Sequence, residues 1–535
     1  MAIKKPLAFL LLWGLVMLLY SKAWNCGLIF DFVDWWGIYR TKGWTGFPTG
    51  YPDIAIRYFL HFVSLPVFNF FGVNPMPWFL LFTFLHSVAA FVAATVFSIW
   101  LNAAEAKNRT LIIIFGVLLF ITSPYHTEVV VWKICLLYLI ALNSVLLMLF
   151  SFTHFAQTGK RIWIAVYYLA FVCSLLTHEI SMFFIPVLAI VIVKLRFGFL
   201  TNVSTSKGVS IFVMPTLLVV AAYLLLNKTM IGVWLGHYGA DVHFNFDVVL
   251  LSSTFTKYIF KFIFLSQSWN YEWKHNFYLF LEKPVVAYTS LALYACITLF
   301  FLFKKMKPVN TICVVVIASF CFLIAPVLNL YFLDWIPIQG DRLGYVASLF
   351  IYFAATCFLI SNAGLKSLFV IAPWLFYNCY FLQYTLQDWK DSEDTIANIH
   401  SNFVWEKDKK IFLLAIADNF NGAYVYLNLA PSPFAETMVM KSGKDIRGKT
   451  TDVLRFNMCR KTDGVDVKIV SAKDVQLTFT GWCSWWWCRD ANGYETEDYI
   501  VKIENNIANI HFKNKPEGAV YLYQQGDVLK QLENF

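Results

Sequence analysis

Long apolar runs recur through the first 385 residues, and no other feature narrows the fold as much. They lie near 6–22, 77–101, 110–124, 134–154, 162–178, 180–195, 208–227, 285–303, 310–328, 343–361 and 366–385. Crossing a hydrocarbon core takes about 20 helical residues, and these runs approach or reach that length. Composition agrees. Charged residues are 14% of the 535 and hydrophobic ones 59%, whereas soluble chains carry about 25% charged. Too few polar groups remain to coat a water-facing surface. Disordered, collagen-like and disulfide-knot classes are excluded, and the eleven Cys contain no C-x-x-C pair. The stretch 247–266 carries Lys257 and Lys261, and is expected as an interfacial or re-entrant helix rather than a span.

Lys and Arg set the orientation. Lys4 and Lys5 place the N-terminus inside. Alternation then gives the inner loops Lys107, Arg109, Lys160, Arg161, Lys194, Arg196, Lys207, Lys304, Lys305, Lys307 and Lys366. Ser21-Lys22-Ala23 also resembles a signal-peptidase site, whose use would leave the downstream orientation unchanged. An odd number of spans sends the chain from about 388 outside. There it turns charged and rich in Gly, Asn and Asp turns, with strand-like runs at Val475–Phe479 and Ala519–Tyr523 after a helical stretch 390–410. The fold class expected is therefore an all-α polytopic membrane domain of about 11 helices (1–387, with an outer loop 25–76). A small outward-facing α+β domain, mostly β, follows at 388–535. The net charge of +9 is an orientation signal rather than a nucleic-acid surface, because residues 1–387 carry 24 Lys and Arg against 12 Asp and Glu.

The acids sort as sharply as the bases. Of those 12, only Glu105 falls inside. Acids contribute little to the positive-inside rule, so their sorting is nearly independent information. Asp31, Asp34, Glu128, Glu179 and Asp341 stand at span ends beside other polar groups, which makes them site candidates. A secondary transporter would place charges near the midplane on broken helices. Here mid-span charges are nearly absent, a layout that suits an enzyme working on a lipid headgroup.

Several short motifs share that face. Ile29-Phe30-Asp31-Phe32-Val33-Asp34-Trp35 follows the first span. Gly50-Tyr51-Pro52, Arg57, Phe71-Gly72-Val73-Asn74-Pro75 and His86 come next, then Ser123-Pro124-Tyr125-His126-Thr127-Glu128, Leu176-Thr177-His178-Glu179 and Gly340-Asp341-Arg342-Leu343-Gly344-Tyr345. In this order the chain resembles the GT-C glycosyltransferases over residues 1–390, and within them the protein O-mannosyltransferase-like members and their bacterial relatives. It departs from the pattern at single Asp residues in place of an Asp-Asp pair, His178 for Lys, Asp341 for Glu, and Arg57 without a following Pro.

The resemblance implies sugar transfer from a polyprenyl-phosphate donor to an acceptor hydroxyl on a glycan, lipid or protein. It places the enzyme in the bacterial inner (plasma) membrane, with its site on the periplasmic or lumenal face. Polyprenyl phosphate is already a good leaving group, so cationic stabilisation matters more than a strong acid. Arg342 is the expected phosphate binder, with Arg57, His126 and His178 as secondary candidates. Asp31 is the expected general base, aided by Asp34. Glu128, Glu179 and Asp341 complete the substrate-binding set. No cofactor is required; the carboxylate-rich face could bind a divalent metal, although none is indicated. His86 reads as a buried packing group. The Gly481-Trp482-Cys483-Ser484-Trp485-Trp486-Trp487-Cys488 segment invites sugar stacking, membrane docking or packing, and Cys483 is free to pair with Cys488 or Cys459. From other classes, a lipid-linked glycan flippase and a non-catalytic membrane scaffold remain as alternatives.

Overall fold

The computed structural model describes residues 5–43, 57–196, 204–234, 236–237, 240–241, 245–303, 307–330, 332–333, 335–404, 409–426, 432–481, 483–487 and 492–535. Gly50, Tyr51, Pro52, Trp482 and Cys488, named above, lie outside them. All eleven apolar runs fall on helix. By length and composition, six helical stretches of the described residues can cross a membrane, or up to eight if each of two bent pairs is one span. The count falls short of eleven for physical reasons. Ile162–Leu175 and Phe184–Arg196 are only 14 and 13 residues long. Tyr345–Ala363 and Leu368–Asn402 are joined by a single 3-10 turn, Gly364–Ser367, into one helical stretch.

Local signals start and stop these helices. Asn74 caps the Pro75–Ala103 helix by accepting from the Met76 amide (3.2 Å), and Pro75 takes the first turn, where no donor is needed. Asp247 caps Val248–Phe264 through the Val249 amide at 2.8 Å. Large apolar side chains stay on the outside of the bundle, among them Val285 (77% exposed) and Phe369 (86%). That much exposed apolar surface fits a lipid solvent, not water.

The Val248–Phe264 helix, 17 residues long, is as expected not among the described helices long and apolar enough to cross a membrane. Lys257 and Lys261 are buried and paired, with Glu282 (2.6 Å) and Asp341 (2.5 Å). Only the Lys261–Asp341 pair is buried on both sides, since the Glu282 side chain keeps 49% exposure.

Leu368–Asn402 runs unbroken for 35 residues, about 52 Å at 1.5 Å per residue. The compositional change near 387 therefore falls inside a helix, and the separate helix expected from 390 is its end. Beyond it, Ile411–Phe420 is buried along its whole length, as a central strand with both faces covered must be. It lies between parallel neighbours, Val520–Gln525 and Arg455–Met458, in a seven-stranded sheet. A second sheet of five antiparallel strands contains Asp474–Phe479. The two runs read as strands are strands, one in each sheet, but the central strand Ile411–Phe420 was not among them. Cys459 and Cys483 form a disulfide.

Candidate functional site

The site begins in the short segment after the first helix. Gly27 has φ +89°, and a Cβ there would stand 1.9 Å from the Val131 carbonyl oxygen, so only glycine permits this approach. The Lys133 amide donates to the Gly27 carbonyl (3.1 Å), and the Trp132 indole donates to the Ile29 carbonyl (3.1 Å). Phe30 is then forced to φ 59°, ψ −128°, a region that non-glycine residues avoid. Its ring is stacked on Trp132 (5.4 Å between centroids) and Tyr424 (4.9 Å), contacts that hold the strained backbone. Asp31 follows as the first residue of the Asp31–Lys42 helix, with Asp34 in the same turn. Burial pushes the Asp31 carboxyl up to about 7, the Arg342 charge opposes that rise and Asp34 adds to it. A carboxyl that changes charge near neutrality beside a cation is suited to taking a proton.

Arg342 is held by Glu128. A 58° bend after Arg109–Ile121 turns the chain into a short helix that carries Glu128 into the interior, fully buried. From the other side Gly340, at φ +85°, turns the loop into the 3-10 segment Asp341–Gly344. Glu128 accepts from the Arg342 amide (2.7 Å), the Gly340 amide (3.4 Å), the Tyr424 hydroxyl (3.1 Å) and the Arg342 guanidinium. The guanidinium also lies over the Trp132 ring (5.4 Å). Its side chain keeps 19% exposure. Neighbouring Asp341 takes a different course, into the buried pair with Lys261, whose ammonium lies over the rings of Tyr125, Tyr258 and Phe332. This arrangement makes Asp341 the counter-ion of Lys261.

A second polar group collects Arg57, His178 and Glu179. Arg57 stands before the Tyr58–Phe71 helix, and the Phe59 amide donates to the Leu176 carbonyl (3.1 Å), which ties that helix to the His178 turn. His178 Nδ1 accepts from the Ile180 amide (3.2 Å), and its ring packs on Tyr138 (5.0 Å). Glu179 lies 4.0 Å from Arg57 and 3.9 Å from His178, and accepts from the Tyr223 hydroxyl (3.3 Å). Burial works to raise the Glu179 carboxyl, but Arg57 and His178 outweigh it and hold it below the usual carboxylate range.

His126 does not belong to this surface. It is fully buried, with Nε2 2.7 Å from the Ser348 hydroxyl and its ring against Phe120 and Tyr345. It packs beside His86, which meets the Tyr345 hydroxyl at 2.8 Å. Sequence reasoning missed Phe30, Trp132, Lys261 and Tyr424. The sequence signals were weak: an aromatic before Asp31, another four residues after Glu128, and a lysine inside an apolar helix. Tyr424 had no local signal, because it comes from the C-terminal domain.

Of the tryptophans in the 481–488 segment, Trp486 packs on Phe479 (4.2 Å) and Trp485 on Trp335 (4.7 Å). Among the described residues one group has ligating atoms close enough together for a metal, Cys459, Asp463 and Cys483. Those two sulfurs are bonded to each other, and the Asp463 carboxylate already accepts from the Cys459 (2.8 Å) and Arg460 (2.9 Å) amides. No protein-family model matches the chain, and no curated protein is significantly similar to it.

Proposed function

We propose that the chain is a multi-pass membrane glycosyltransferase that moves a sugar from a polyprenyl-phosphate carrier to an acceptor hydroxyl outside the membrane. In this reading the eleven apolar helices cross a bacterial inner membrane, the N-terminus is cytoplasmic and the C-terminal domain is periplasmic. The Cys459–Cys483 disulfide favours an oxidising compartment for that domain. The observation that carries the reading is the pairing of roles at one place. Asp31 follows Phe30, whose ring stacks on the same Trp132 that the Arg342 guanidinium lies over, and buried Glu128 fixes Arg342.

The acceptor oxygen attacks the anomeric carbon and its proton passes to Asp31. The bond from that carbon to the phosphate oxygen breaks, and the electron pair leaves with the polyprenyl phosphate. Arg342 stabilises the charge that develops there. Asp34 orients the acceptor, and the Arg57–His178–Glu179 group lines the approach of the sugar or headgroup. The test is Asp31→Asn in folded protein with a polyprenyl-phosphate sugar as donor. Loss of a general base lowers turnover about a hundredfold or more. Unchanged turnover removes Asp31 from the chemistry.

A further inference from the structure

We infer that Tyr424, supplied by the C-terminal domain, is a positioning residue that sets the Arg342 guanidinium for the lipid phosphate. The inference rests on the glycosyltransferase reading for the identity of that phosphate, but the positioning stands on geometry alone. Tyr424 is buried, and its hydroxyl closes a three-membered network. Arg342 Nη1 donates to the Tyr424 oxygen (3.3 Å), the Tyr424 hydroxyl donates to Glu128 Oε1 (3.1 Å), and Arg342 Nη1 also donates to that same Oε1. The Tyr424 ring fills the space between Phe30 (4.9 Å) and Trp132 (4.5 Å), the two residues that place Asp31 and roof the guanidinium. One side chain therefore touches the supports of both proposed chemical groups.

Its own backbone is clamped. Ser392, on the long Leu368–Asn402 helix, donates to the Tyr424 carbonyl. Two residues earlier Gly422, at φ +91°, comes so close to the Pro337 carbonyl that a Cβ would stand 1.7 Å from its oxygen. The hairpin that carries Tyr424 is thus wedged between the loop that leads to Arg342 and the helix that bears the outer domain. The site is incomplete without that domain.

The experiment uses the full chain in lipid nanodiscs and compares Tyr424→Phe with Tyr426→Phe. Tyr426 is an equally buried tyrosine of the same domain, and its hydroxyl has no hydrogen-bond partner among the described residues. Tyr424→Phe keeps the ring and its stacking, so the fold is retained. Two readouts are taken: the rate at which phenylglyoxal modifies Arg342, by peptide mass spectrometry, and the Kd for undecaprenyl phosphate. Loss of one hydrogen bond to a charged group corresponds to about a tenfold weaker phosphate affinity. Tyr424→Phe is expected to show that weakening together with faster Arg342 modification, and Tyr426→Phe neither. Unchanged Arg342 reactivity in Tyr424→Phe overturns the inference, as does faster modification with unaltered phosphate affinity. If the unsubstituted protein binds no undecaprenyl phosphate, the functional reading fails, and Arg342 reactivity alone decides the positioning.

Discussion

Removing the Glu128 carboxylate tests the centre of the site without any assumption about substrate. Glu128 is fully buried and collects two backbone amides, one hydroxyl and a guanidinium. Glu128→Ala removes the acceptor that all four donors share. Breaking a buried ion pair from one side costs about 3–5 kcal/mol, because the surviving charge keeps its desolvation penalty. Here the survivor is Arg342, whose side chain retains 19% exposure and can turn part of its charge to water. The expected loss is therefore near the lower end, about 3 kcal/mol. Arg342→Met strands the opposite charge, on a carboxylate with no exposure but with three donors remaining. It should cost at least as much. The double variant Glu128→Gln/Arg342→Met removes both charges, and an amide oxygen still accepts from the Arg342 backbone position and Tyr424. That variant should lose only about 1 kcal/mol. Reversible unfolding in mixed micelles measures all three together with Glu128→Gln alone, which closes the cycle with Arg342→Met and the double variant, and the coupling appears as strong non-additivity. If Glu128→Ala costs under about 1 kcal/mol, or the double variant merely sums the singles, the pair is not the buried keystone described.

Three further outcomes follow from the same geometry. The Asp31 proton is held up to about pH 7 when folded, against about 3.9 for a free Asp, so Asp31 favours folding below about pH 4 and that contribution is lost as pH rises through 7. Transfer should instead rise with pH through about 7, and Asp31→Asn should abolish that limb in the pH–rate profile. Gly422→Ala meets the Pro337 carbonyl and a left-handed backbone together; a loss of over about 1 kcal/mol and faster proteolysis of the C-terminal domain are expected, and a neutral result would refute the close docking. Cys459 and Cys483 are 24 residues apart, so Cys459→Ser should cost about 3 kcal/mol of domain stability, read by urea unfolding.

What the sequence made legible was whatever depends on local pattern or on one-dimensional bookkeeping. Apolar run length marks helices wherever they fall, and the lysines and acids sort onto faces by counting. Asp31 and Asp34 could be singled out because a loop acid beside a span end is visible without partners. The partners themselves were not visible. Asp341 and Arg342 are adjacent in sequence, yet one pairs with Lys261 and the other with Glu128, a division made by the 3-10 turn at Gly340. His126 and Glu128 stand two residues apart and separate likewise, the histidine into the packing around Phe120 and the carboxylate toward Arg342. A motif read as a unit hides such splits.

The C-terminal domain was the larger omission, and its cause is physical. Tyr424 meets Glu128 across 296 residues, and nothing local in Phe420–Tyr424 announces a contact with a membrane helix. The contact depends on the length and stiffness of Leu368–Asn402, since an uninterrupted helix fixes both the height and the direction at which the outer sheets are presented. A flexible linker at 388 would let the domain roam and leave Arg342 to find its own orientation. A continuous helix removes that freedom before any ligand arrives, and Ser392, about three turns from its end, anchors the Tyr424 hairpin directly. Lengthening the helix inside 388–391 by two alanines would rotate the domain by about 200° and raise it by about 3 Å. Arg342 should then become as reactive as in Tyr424→Phe, although every residue of both domains is unchanged. An insertion that left Arg342 protected would show that the membrane domain orders the guanidinium by itself.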